Sequence, residues 1–326
     1  MKADEVPPLR RHATFVLPKW KLVYVSTPKA ACTTIKWLLA DIQGIEHKVF
    51  YSSLSSETSR ATTIHHRHFL WLDTTPNLRD LDDAQLAEIT PENGWFSFTM
   101  TRHPGMRLWS AWQSKFLLRE PRFLVQYAKE PWMPRMPRTT EDVLEDWDQF
   151  VRAAAADPDS QIMQDNHFQS QSLLLNVPAM PYDRIYDTSE FRTMLDDLRA
   201  HLDKQGWTGE LEPSRSNETP LPAIERAFPQ HTLDAIAMLY ADDFAKLDYD
   251  DPKPPKLRTE EYGPDVLAAT AMIAERGERI GDLSRRARRI NYELDQCRQG
   301  RTPEPGTTAP RKGKPKRTGL LQRLGR

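Results

Sequence analysis

Lys29 stands in a turn between an apolar run, Leu22-Val23-Tyr24-Val25, and a stretch of helical character that begins near Thr33 and Thr34. A strand that passes through such a turn into a helix leaves the first backbone N–H groups of that helix unpaired, beside the positive end of its dipole. Such a turn attracts an oxyanion, and a lysine within it adds a full positive charge. The chemistry on offer is phosphate binding. The segment is not an ATP-type loop, because residues 22–36 contain no glycine and Lys29 sits early in the turn. Taken alone, it also fits an ordinary strand, polar turn and helix.

A second segment repeats the layout. Trp95-Phe96-Ser97-Phe98-Thr99-Met100 reads as a buried strand, and Arg102-His103-Pro104-Gly105 reads as a turn into an amphipathic helix that carries Arg107, Ser110 and Lys115. An arginine at a strand end can fork onto a phosphate through two parallel charge-assisted hydrogen bonds, and Ser110 can add a hydroxyl donor. Two anion sites on neighbouring strands imply a ligand with two phosphate-like ends. Arg107 could bind phosphate or serve as a structural partner, and Lys115 reads as a surface or structural residue.

With both segments in view, the chain resembles the carbohydrate sulfotransferases of family 2 type, the glycan O-sulfotransferases. Pro28-Lys29-Ala30-Ala31-Cys32-Thr33-Thr34-Ile35-Lys36 is similar to the family loop Pro-Lys-x-Ala-Cys-Thr-x-x-Lys, which holds the 5′-phosphosulfate of 3′-phosphoadenosine-5′-phosphosulfate (PAPS). Arg102-His103-Pro104-Gly105-Met106-Arg107-Leu108-Trp109-Ser110-Ala111-Trp112, with Lys115-Phe116, is similar to its Arg-x-Pro-x-x-Arg-Leu-x-Ser-Ala-Tyr-x-x-Lys-Phe segment, where the arginine and serine hold the 3′-phosphate. Trp112 stands where the family has tyrosine, and His103 where it usually has an acid. Weaker echoes follow in family order: Asn166-His167-Phe168-Gln169-Ser170-Gln171, Tyr182 to Tyr186 with Glu190, and Leu239 to Phe244 with Tyr249.

The resemblance implies a PAPS-dependent enzyme that transfers a sulfuryl group in line to a hydroxyl of a carbohydrate or glycolipid, releasing adenosine 3′,5′-bisphosphate, with no metal required. It assigns Lys29 to the bridging oxygen, Ala30, Ala31, Cys32, Thr33 and Thr34 to the 5′-phosphate, and Arg102 and Ser110 to the 3′-phosphate. Arg215, in Ser214-Arg215-Ser216-Asn217, either reaches the cofactor or belongs to a plain turn. The acceptor needs a base, and related enzymes place a catalytic histidine or glutamate between the two motifs. There Thr63-Ile64-His65-His66-Arg67-His68 crowds three histidines, of which His66 is expected first, His68 next and His65 last. A surface loop, or a metal site completed by His167, are the other readings of that turn. His167 either contacts the acceptor or caps local structure, and Lys36 is either a further loop residue or a surface one.

These residues need a sheet to hold them. Strands near 22–26, 95–100 and 183–186 alternate with helices near 34–42, 80–89, 105–118, 141–155, 190–204 and 230–246, the pattern of an α/β fold. The expectation is a P-loop-like parallel sheet flanked by helices, with ligand at the carboxyl ends of the strands. Four segments are expected: an N-terminal arm (1–19), the sulfotransferase domain (20–252), a helical extension (256–299) and a basic disordered tail (300–326). In the extension Val266, Ile273, Ile280, Ala287 and Leu294 recur every seven residues, with Ala269, Leu283 and Ile290 between them. That seam either packs back on the domain or pairs with a second copy. The Pro-, Lys- and Arg-rich tail is either a solvated extension or a peripheral contact to anionic lipid or a partner. The irregular, aromatic and basic stretch 119–138 is either an acceptor lid or a wrapping connection.

Composition narrows the class. A chain of 326 residues, 39% apolar and with nine tryptophans, can fill a large core. A net charge of −1 gives no support to wholesale nucleic-acid binding, so any anion must be met locally. Two cysteines are too few for a disulfide framework and suit a reducing compartment. With no apolar leader and no unbroken apolar run of about 18 residues, the expectation is a cytoplasmic protein without a transmembrane segment. Two other functions stay open at this stage: a P-loop nucleotide kinase, against which the missing glycines count, and a non-catalytic scaffold that uses the C-terminal helix and tail.

Overall fold

The computed structural model of the chain describes residues 13–50, 63–65, 71, 74–177, 180–213 and 219–299. Its centre is a four-stranded sheet, β1 (Thr14–Leu17), β2 (Leu22–Val25), β3 (Phe96–Thr101) and β4 (Arg184–Asp187), in that spatial order. The three expected strands run parallel, with Val25 beside Thr99 and Thr101 beside Asp187. β1 is an antiparallel edge strand that the sequence reading did not foresee. It lies within residues 1–19, expected to be an N-terminal arm, and a Pro-Lys-Trp turn follows it at once.

Ten helices are described: α1 (Cys32–Ile42), α2 (Asp83–Ala87), α3 (Pro104–Trp112), α4 (Pro121–Tyr127), α5 (Thr140–Ala156), α6 (Gln171–Leu175), α7 (Phe191–Lys204), α8 (Gln230–Leu239), α9 (Ala241–Lys246) and α10 (Pro264–Arg298). β2 is apolar on both faces because both are covered, whereas β3 alternates Phe96, Phe98 and Met100 with Ser97, Thr99 and Thr101. Tyr24, Phe98, Met100 and Tyr186 pack on α1 and α7 through Ile35, Trp37, Leu198 and Leu202. On the opposite face Val16, Val23 and Val25 meet Leu78, Leu86 and Leu175. A third, aromatic core joins α3, α5 and α8 through Trp109, Trp112, Trp147, Phe150 and Ile236.

The helix expected over 105–118 changes character midway. After α3 the chain continues as a π-helical turn over Gln113–Leu117, a widening that recurs at functional sites. It carries Ser114 and Lys115.

α10 packs back on the domain, but not by the seam the heptad spacing suggested. Its buried face is Leu267, Thr270, Ala274, Gly277 and Gly281. A Cβ on Gly277 would lie 2.5 Å from the Leu118 carbonyl oxygen and 2.6 Å from that of Arg119, so only glycine lets the helix come this close. Gly277 and Gly281, residues that lower helix propensity, thus lie on its docking surface. Val266 packs on the aromatic core, but the later heptad residues stay open, with Ile280, Leu283 and Ile290 each more than half exposed at 52%, 56% and 55%.

Candidate active site

The C-terminal ends of β2 and β3 lie side by side, and each runs into one of the two turns. In the first turn Lys29 and Ala31 both take left-handed backbone angles, φ 70° and 54°, without being glycine. Such a turn can form an anion nest of backbone N–H groups, with that of Ala30 donating to the Thr27 carbonyl at 3.4 Å. α1 opens directly after it, with Ala31 as N-cap and no side chain capping its first turn. The Thr27 hydroxyl is buried beside the turn with no hydrogen-bond partner among the described residues.

Lys29 Nζ donates to Ser114 Oγ at 2.9 Å. Burial, reinforced by the positive charges of Lys115, Arg102 and Arg107, lowers its pKa to about 7. No carboxylate is hydrogen-bonded to it among the described residues. Cations gathered this way favour an anionic ligand, and the donor set fits one with two phosphate-like ends. Arg102 joins the same field from the tip of β3, where burial lowers its pKa and Asp187 partly offsets the shift. Ser110 lies on α3, buried behind it.

Arg107 is not a phosphate ligand but the clamp of the site. Its guanidinium, 1% exposed, donates from Nε to the Pro28 carbonyl at 3.0 Å and from its two terminal nitrogens to the carbonyls of Gln169 (2.6 Å) and Asn166 (2.9 Å). One side chain thus ties the lysine turn, α3 and the 166–169 loop together.

The backbone of Arg102 is held as firmly. Gln171 accepts from its N–H at 2.9 Å and donates to its carbonyl at 2.8 Å. Gln171 is in turn fixed by the fully buried carboxylate of Asp243, which accepts from the backbone N–H groups of Gln171 and Ser172 and from Ser170 Oγ. The Tyr249 hydroxyl bridges the same strand ends, 2.9 Å from both Thr101 Oγ1 and the accepting Asp187 Oδ2. In the sequence these residues were only echoes of a family pattern. Nothing local announces that they brace Arg102.

His103 caps a helix and ties down a distant carbonyl. Its Nδ1 accepts from Gly105 N–H at 3.2 Å as the N-cap of α3, so Nε2 carries the proton and donates to the Asp251 carbonyl at 2.8 Å. Burial lowers its pKa, in keeping with this neutral form. Lys36, which could have been a surface residue, is 5% exposed and bonded to His65 Nδ1 at 3.1 Å. His65 Nε2 meets Thr33 Oγ1 at 2.8 Å, so both ring nitrogens are engaged and this histidine supports α1. Lys115 is likewise no plain surface residue: it is half-buried over the Phe123 ring, 5.3 Å from its centroid, and burial lowers its pKa.

His66, His68 and Arg215 lie outside the described residues. Among those described, no group of three or more His, Cys, Asp or Glu could hold a metal ion, and both cysteines are free thiols. The stretch 119–138 is a wrapping connection. Trp132 packs edge-on against Phe116 in the aromatic core, and Arg135 pairs with Asp142, Glu145 and Asp146.

A family model described as "Sulfotransferase family" matches residues 12–250, which takes in the whole sheet and both turns. No curated protein and no solved structure matches the chain. Among the described residues no helix is long and apolar enough to cross a membrane. The match covers well over half of the chain and includes every element just described around Lys29 and Arg102, and the chain therefore belongs to the sulfotransferase family, of family 2 type.

Proposed function

We propose that the chain is a PAPS-dependent O-sulfotransferase acting on a hydroxyl of a carbohydrate or glycolipid. The observation that carries this reading is the placing of Lys29 and Arg102 at adjacent parallel strand tips, in one electrostatic field. A nucleotide phosphorylated at both its 3′ and 5′ positions suits two anion sites on neighbouring strands, and its 5′-phosphosulfate form supplies an activated sulfuryl group. The nest over residues 29–31, the first N–H groups of α1 and the hydroxyls of Thr33 and Thr34 hold the 5′-phosphate. Lys29 meets the charge that develops on the bridging oxygen, while Arg102 and Ser110 hold the 3′-phosphate, with Arg215 as a further contact. His66 and His68 are candidate bases, whereas the bonds of His65 leave its ring no free nitrogen.

Calorimetry with adenosine 3′,5′-bisphosphate, beside ATP with Mg²⁺, tests the donor, and transfer of radiolabel from PAPS to a pool of glycans and glycolipids tests the acceptor. Binding of ATP alone would overturn the reading. Gln171→Leu removes both partners of the Arg102 backbone while conserving volume. It should weaken bisphosphate affinity about tenfold, the equivalent of one to two hydrogen bonds, as read by the same titration.

The open heptad seam of α10 supports pairing with a second copy, since a seven-residue apolar repeat is the pattern of helices that supercoil around each other. Sedimentation of the full chain should show a dimer. Leu283→Glu with Ile290→Glu should return a monomer with unchanged turnover.

A further inference from the structure

We propose that His167, oriented by Asp165, is the base that takes the proton of the acceptor hydroxyl. The inference rests on the sulfotransfer reading above and names a residue for it that neither the two motifs nor the histidine-rich turn contains.

His167 lies in the loop whose carbonyls, those of Asn166 and Gln169, are tied through Arg107 to the carbonyl of Pro28. That clamp holds the histidine beside the lysine turn although 138 positions separate His167 from Lys29. Lys115 links the two sites: its ammonium lies over the Phe123 ring, and His167 meets the same ring edge-on with centroids 5.8 Å apart. The residue before it, Ser114, accepts from Lys29.

The orientation of the imidazole is fixed. Asp165 Oδ1 lies 2.7 Å from His167 Nδ1 and also accepts from the His167 backbone N–H at 3.1 Å. Arg122 holds the other carboxylate oxygen at 2.9 Å. Burial works against the Asp165 carboxylate, but the His167 hydrogen bonds and the nearby charges keep its pKa at about 2, so it is an ionised acceptor at neutral pH. Nδ1 must then carry the proton, which leaves the lone pair on Nε2. Nε2 has no hydrogen-bond partner among the described residues, and the side chain is 21% exposed. Burial, together with the positive charges of Lys115 and Lys29, lowers the ring's pKa to about 4 despite Asp165, so the imidazole is neutral when it must accept a proton. His65 has both ring nitrogens occupied; His167 has one held and one open.

The step balances without a further reactant. The acceptor oxygen gives its proton to Nε2 and its electron pair to the sulfur. The bond from sulfur to the bridging oxygen breaks, and its pair stays on that oxygen opposite Lys29. The imidazolium formed is stabilised by Asp165, and its proton then leaves to water. His167 touches the acceptor; Asp165 acts through His167 and is a positioning residue.

The test uses the full chain. Nuclear magnetic resonance of the imidazole nitrogens, which needs no turnover, should find the Nδ1–H tautomer and a titration midpoint near 4, set first by burial, with Lys115 and Lys29 lowering it and Asp165 raising it. His167→Asn should leave adenosine 3′,5′-bisphosphate affinity unchanged and lower kcat by about 10²–10⁴-fold. Asp165→Asn should shift the tautomer toward Nε2–H and lower kcat with the acceptor KM unchanged. Full turnover in His167→Asn, or an Nε2–H tautomer in the native chain, would overturn the assignment, as would His66→Ala or His68→Ala alone abolishing transfer while His167→Asn retains it. If the native chain neither binds the bisphosphate nor transfers sulfate, the broader reading fails instead, and the two failures are told apart by the native control.

Discussion

Lys29→Met should cut sulfuryl transfer by about 10²–10³-fold, the usual effect of removing one preorganised donor from a developing oxyanion. The substitution keeps the length and the apolar stem of the side chain, so the loss belongs to the charge. The same change should stabilise the ligand-free protein in acid. Folding lowers the pKa of Lys29 from 10.5 to about 7, chiefly through burial. Between those values the unfolded chain holds more protons than the folded one, so stability rises with pH across that window and the charged form is a burden below it. Lys29→Met should therefore melt above the native chain at pH 6, with the margin shrinking as the pH approaches 10. Binding of adenosine 3′,5′-bisphosphate at pH 8 should draw a proton onto Lys29, measurable by calorimetry in two buffers of different ionisation enthalpy. Proton uptake unchanged in Lys29→Met would remove Lys29 from the site.

Arg107→Met should be the most destabilising single change near the site, by about 3–5 kcal/mol. The guanidinium is 1% exposed and satisfies the backbone carbonyls of Pro28, Asn166 and Gln169. Removing it takes a hydrogen bond from three part-buried acceptors, at up to about 1–3 kcal/mol apiece before any relaxation. Arg107→Lys should recover little, because an ammonium on a flexible stem cannot fork to residues 28, 166 and 169 at once. Thermal denaturation should show a fall of about 10 °C, given about 2–4 °C per kcal/mol for a domain of 150–250 residues. Any protein that remains folded should lose bisphosphate affinity as well, since the lysine turn loses its tie.

The parts of this architecture that could be read from the sequence are those written in local pattern. The strands over residues 22–25, 96–101 and 184–187 are runs bounded by turns, and Lys29 and Arg102 follow directly from two of them. What could not be read is what joins distant segments. Arg107 looks like any helical arginine until Pro28, Asn166 and Gln169 are brought around it. Gln171 and Asp243 are 72 positions apart and meet only through the packing of α6 on α9. The heptad spacing of α10 was real, but docking followed the glycine-bearing face, because a close approach of backbones decided it.

The left-handed angles at Lys29 and Ala31 restrict the alphabet of this turn. A Cβ in that region costs roughly 1–2 kcal/mol, and a branched one more, so valine, isoleucine or threonine would be excluded at either position whatever their polarity. Because that conformation is set during folding, a ligand arriving here has little chain freedom left to remove. Glycine at position 31 would relax the turn and so be expected to make association entropically dearer, even though no contacting atom is lost.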